Sequence, residues 1–196
     1  MALGTATDPY ELRFDTGRIC LDLIATTHPM ERLESVEVLR AWITGSGLVP
    51  PRTPLAHADV SWLAAFRELR GQTARLIRSR SAPGSIPHDL ALARVNGLAV
   101  AAPPAPRAVH GEDGALVREL TGPPECPALL GALARDTVEL LTDPVARASL
   151  RQCEGDNCPI VYVDTSRGRR RRWCSSEICG NRERVARHRR RAALAR

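Results

Sequence analysis

Apolar residues recur at helical intervals through most of the first 150 positions. Ser35 precedes Val36, Leu39 and Ile43, spaced i, i+3 and i+7, with Gly45 and Gly47 behind them, so a capped helix is predicted there. The strongest helical pattern covers residues 59–80. Trp62, Phe66, Leu69, Thr73 and Leu76 form its apolar stripe, with Arg67, Glu68, Arg70 and Arg78 elsewhere on the wheel. Pro87 suits the first turn of a further helix carrying Leu92, Val95 and Ala99.

Pro103, Pro104 and Pro106 break that pattern. Residues 107–110 and 115–120 then flank Gly111-Glu112-Asp113-Gly114, the makings of a hairpin. After Pro123 and Pro124 comes a long helix with Leu130, Leu133, Ala134, Thr137, Val138 and Leu141 on one face, and Pro144 opens a short last one. Near the start, residues 19–25 are apolar apart from Asp22 and read as a short buried helix. Asp22 caps a neighbouring helix, pairs with an arginine or helps to bind a small ligand. Cys20 and Cys126 read as buried thiols.

Beyond residue 150 the pattern changes. Ile160-Val161-Tyr162-Val163 is a good strand, residues 164–168 a good turn, and residues 169–173 can return as a second strand. Ser175 or Ser176 then caps a final helix, placing Cys179 in or beside its first turn.

Four of the six cysteines fall in this stretch, as Cys153-x4-Cys158-x15-Cys174-x4-Cys179. Two short-looped pairs separated by a hairpin length suit one tetrahedral Zn²⁺ held by four thiolates. Four cysteines leave no open position for water, so the metal is expected to be structural. The expected fold class is therefore α+β and mostly helical. Residues 1–150 form a helix-rich domain with a small hairpin, and residues 151–196 a treble-clef-like zinc finger of knuckle, β-hairpin and helix.

Charge divides at the same place. Residues 1–150 carry −2 and residues 151–196 carry +8, with every base an arginine. A near-neutral body with a strongly basic end is the footprint of a protein that meets an anion, most often nucleic acid. The candidate contacts are Arg169, Arg170, Arg171 and Arg172 on the hairpin arm, and Arg184, Arg187, Arg190 and Arg191 on the last helix. Val185, Ala186 and Ala193 lie roughly opposite on that helix. Arg182 and Arg189 point toward this apolar arc and are expected to serve the fold, while Trp173 is expected to pack over the metal site.

Trp173-Cys174-Ser175 and Cys179-Gly180-Asn181-Arg182 resemble the C-terminal CGNR zinc finger of bacterial proteins, over residues 150–191. Residues 18–26, Arg18-Ile19-Cys20-Leu21-Asp22-Leu23-Ile24-Ala25-Thr26, resemble the opening motif of the ABATE domain that usually precedes such a finger. Ala25 stands where that family tends to carry Asn. The resemblance implies a stress-related transcription regulator.

No Ser-His-Asp spacing, phosphate loop or His/carboxylate cluster is visible, and the five histidines are scattered, so an enzyme is not expected. No run approaches the length of a membrane helix and no signal peptide is visible, so a cytoplasmic protein is expected. The resulting reading is a zinc-binding, DNA-binding transcriptional regulator whose N-terminal domain senses a small-molecule effector or forms a homodimer. Its alternative is a zinc-stabilised protein-interaction module without sequence-specific DNA binding.

Overall fold

A computed structural model describes residues 12–78 and 84–194. In chain order the elements are α1 (Ile19–Ala25), α2 (Val36–Gly45), α3 (Val60–Arg78), α4 (Ile86–Ala99), β1 (Pro106–His110), β2 (Leu116–Leu120), α5 (Cys126–Thr142), α6 (Pro144–Ala148), β3 (Leu150–Gln152), β4 (Val161–Val163) and α7 (Cys179–Leu194). This is the expected α+β class, mostly helical with two small antiparallel hairpins. The last residues of the expected 59–80 helix lie outside the described residues. Among the described residues, no helix is long and apolar enough to cross a membrane.

The chain forms two compact units. One runs from Leu33 to Arg147; the other joins the residues up to Arg32 with those from Ala148 onward. The N-terminal residues, read from sequence with the helical domain, thus cluster with the finger.

In the central unit, Ser35 Oγ accepts the Val38 N–H and starts α2. Asp59 does the same for α3, taking the N–H groups of Ser61 and Trp62. Helices α3, α4 and α5 pack around buried Phe66, Leu69, Val95, Leu129, Leu133 and Leu140, and Trp42 of α2 meets the Phe66 ring edge-on. The α3 stripe is buried as expected, but it is wider than expected. Leu63 and Arg70, at i−3 and i+4 from Phe66, are buried too.

Helix α4 is turned relative to expectation. Ala91 and Val95 face inward, while Leu92 is exposed. It carries apolar residues on both sides, so periodicity alone could not set its phase. Helix α5 comes close enough to the chain after α4 that a Cβ on Gly131 would lie 2.5 Å from the Ala101 carbonyl oxygen. Strands β1 and β2 pair from Pro106↔Leu120 to His110↔Leu116, with Gly114 in the left-handed region at φ 79°.

In the other unit, β3 pairs with β4, Leu150 opposite Val163 and Gln152 opposite Val161. The expected partner of this strand was the segment 169–173, and that expectation is corrected. Asp164 turns the chain there. Its carboxylate accepts from the N–H and hydroxyl of Ser166 and from the Arg171 N–H, and Arg169 adopts a left-handed φ of 47°. With the Arg171 N–H taken by that carboxylate, β4 pairs upstream with β3 instead, and the first cysteine pair occupies the tip of the hairpin.

Candidate metal centre and its basic surroundings

Cys153 leaves β3 with its N–H bonded to the Ile160 carbonyl at 2.9 Å, which closes the first knuckle. Within it the Cys158 N–H reaches the Gly155 carbonyl, and Asn157 turns the chain at φ 56°. Gly155 faces the second pair so closely that a Cβ there would sit 3.1 Å from Cys179 Cβ and 3.2 Å from its sulfur. On the far side, Ser175 Oγ accepts the N–H groups of Glu177 and Ile178, and α7 begins at Cys179. The sequence placed Cys179 there.

All four sulfurs lie within 4.8 Å of one another and all four residues are buried. Cys158 and Cys174 are 3.7 Å apart, Cys174 and Cys179 3.6 Å. A tetrahedron with Zn–S bonds of about 2.3 Å has edges of about 3.8 Å, whereas a disulfide needs about 2.05 Å. The donor set fits zinc: Cys153, Cys158, Cys174 and Cys179 can bind one ion. Ala25, Ile160 and Tyr162 pack with the cysteines in one buried cluster, and Trp173 and Ile178 close over it.

Several donors face the sulfurs. The N–H groups of Gly155 and Cys174 point at Cys153 Sγ at 3.4 and 3.3 Å, and Arg13 Nη1 points at Cys174 Sγ at 3.3 Å. Hydrogen bonds from Cys174 and then Cys179 push the Cys158 thiol down to about 4. The same sharing with Cys158 and Cys174 pushes Cys179 up. Such a cluster surrenders protons when zinc enters, so its metal affinity falls in acid. Burial lowers His28, with Cys174 opposing that shift and Arg13 and Arg182 adding to it.

Residues 17–144 match the ABATE family model, described as "Putative stress-induced transcription regulator". The chain belongs to the ABATE family. Residues 149–192 match the CGNR zinc finger. No curated protein matches the chain.

In this ABATE protein the expected basic residues divide into two kinds. Arg171 is part of the fold. Its Nε donates to the Trp173 carbonyl at 2.9 Å, its Nη2 to the carbonyls of Asp15, at 3.0 Å, and Cys174, and its guanidinium lies 4.5 Å from the Tyr162 ring centre. Those bonds engage its guanidinium within the fold, where it was expected among the nucleic-acid contacts. Arg169, Arg170, Arg184, Arg187 and Arg191 are exposed. Arg172 pairs with exposed Glu154 at 2.6 Å, and exposed Arg190 with half-buried Glu183 at 2.7 Å.

Arg182 and Arg189, expected to serve the fold, are exposed as well, because no apolar arc of α7 is covered: Val185 is 44% exposed. Asp22 is buried and accepts the N–H and hydroxyl of Thr16 at 3.1 and 2.8 Å, tying α1 to the chain entering it. Sequence reasoning missed Arg13, which no local pattern marks, since it meets Cys174 across 161 positions. The turn at residues 164–168 was read from sequence, but not the reach of the Asp164 carboxylate to the Arg171 N–H.

Proposed function

We propose that this ABATE protein is a zinc-dependent DNA-binding regulator whose last helix and arginine loop lie along duplex phosphates. The observation that carries this reading is α7. It holds six arginines and one acid, and beyond Gly180 none of its side chains is buried among the described residues. A helix with no buried face gains little from its own fold and much from an anionic counter-surface. The loop held by Asp164 adds Arg169 and Arg170 beside Arg172.

The central unit offers features for its two suggested roles. An open cleft of about 1110 Å³, lined by Pro50, Pro54, His110, Val117, Arg118 and Pro123 among others, supports a small-molecule effector. Exposed Ile86, Leu90 and Val100 along α4 support contact with a second copy. No catalytic step enters the reading, and thiols kept for zinc suit the reducing cytoplasm.

The test is the salt dependence of binding to a labelled duplex. Removing one arginine that neutralises a phosphate flattens the slope of log K against log salt by about 0.9. Replacing Arg184, Arg187 and Arg191 together by Gln is expected to flatten it by about 2.7 and to leave the zinc in place. Unchanged affinity and slope would replace this reading by the protein-interaction module.

A further inference from the structure

We infer that Arg13 is the counter-cation of the zinc tetrathiolate, so that metal retention depends on the N-terminal strap as well as on the four ligands. Four thiolates around Zn²⁺ leave two negative charges in a buried cluster, and a cation touching one sulfur offsets part of that charge. Arg13 is built for the position. Its side chain is 13% exposed, Nη1 lies 3.3 Å from Cys174 Sγ, and Nη2 is gripped by both Asp15 oxygens at 3.0 and 2.9 Å.

The strap itself is fastened to the finger by main-chain bonds. The Val163 N–H donates to the Thr16 carbonyl at 2.8 Å, and Arg171 reaches the Asp15 carbonyl at 3.0 Å. Gly17, at φ 89°, faces Val163 closely enough that a Cβ would sit 3.4 Å from it. Asp22 then holds Thr16 from the other side. The strap is thus held at Arg13 by Cys174, at Asp15 by Arg171 and at Thr16 by β4 and α1. This inference rests on the cysteine cluster alone and is independent of DNA binding.

The test uses the zinc-loaded full chain. Partners that touch a metal's ligands typically change affinity about 10–100-fold when removed. Arg13→Gln is expected to lose zinc to a chromophoric chelator with an affinity lower by that factor, while Arg13→Lys, which keeps the charge, stays within about threefold. Alkylation by iodoacetamide adds a second readout, with Arg13→Lys as the control for loosening of the strap. Without the cation on its sulfur, Cys174 becomes the first cysteine modified in the zinc-loaded Arg13→Gln protein. Parent-like zinc retention in Arg13→Gln, or a loss in Arg13→Lys as large as in Arg13→Gln, would overturn the inference. Should Arg13→Gln fail to fold, Arg13→Lys decides alone: retention near the parent's supports the counter-cation, and a tenfold loss or more, about the smallest effect of removing such a partner, overturns it.

Discussion

Arg170 and Arg171 are neighbours of identical chemistry, yet their replacement by Gln is expected to have opposite consequences. Arg171 makes three guanidinium bonds to the main-chain carbonyls of Asp15, Trp173 and Cys174 and lies over Tyr162. Bonds from a charged donor contribute about 1.5–3 kcal/mol each when buried, and less when half exposed as here. Stacking on the ring adds about 0.5–1 kcal/mol. Gln reaches at most one of those carbonyls, so Arg171→Gln should weaken the zinc-bearing unit by about 2–4 kcal/mol. Arg170 is exposed, and its one structural bond, from its N–H to Ser166 Oγ at 3.2 Å, belongs to the main chain and survives substitution. Arg170→Gln should stay within about 0.5 kcal/mol of the parent and flatten the DNA salt slope by about 0.9. The assay is a urea titration in which zinc exposure is read with a chromophoric chelator, paired with duplex binding at several salt concentrations. The reasoning fails if the two variants expose zinc at the same urea concentration, or if Arg170→Gln is the less stable.

Two further outcomes test the packing. Gly131→Ala puts a methyl 2.5 Å from the Ala101 carbonyl oxygen, and backbone cannot yield as a side-chain tip does; overpacking of about 1–3 kcal/mol should exceed the helical gain of about 0.5–1, lowering the denaturation midpoint of the central unit. A fragment spanning Leu33–Arg147 should unfold cooperatively in chelator, whereas one spanning residues 1–150 should bind more of a hydrophobic dye, because α1 and Ala25 are then without the finger they pack with. Equal dye binding by the two fragments would count against assigning residues 12–32 to the zinc unit.

The features that were legible in the sequence are those with local causes. Ser35 caps its helix as read because a side-chain oxygen three residues ahead is the nearest acceptor for an orphan N–H. The four cysteines announce their site because tetrahedral thiolate chemistry imposes paired short loops. What was misread depended on distant partners. The phase of α4 is set by α3 and α5, and its two apolar sides gave no preference. The return strand failed because one carboxylate, Asp164, bonds the Arg171 N–H seven residues on, where the turn at 164–168 alone suggested a returning strand. Arg13 and Asp15 joined the site from 161 and 156 positions away.

The same contrast decides how far charge can be read as function. Counting arginines beyond residue 150 treats them alike, but their surroundings differ. Arg171 satisfies half-buried carbonyls beside the cysteines, and withdrawing it would leave acceptors without donors at a cost below the ~1–3 kcal/mol apiece of full burial. Arg172, which also lies 5.1 Å from the Trp173 ring centre, pairs with exposed Glu154, and Arg190 pairs with half-buried Glu183. Exposed pairs contribute about 0–1 kcal/mol and are screened by salt. A phosphate can therefore replace either carboxylate with little penalty. Those two ion pairs keep Arg172 and Arg190 within the proposed DNA surface, while the neutral carbonyls hold Arg171 out of it. For a basic residue, a carbonyl partner inside the fold is thus the stronger argument against nucleic-acid contact than an acidic partner on the surface.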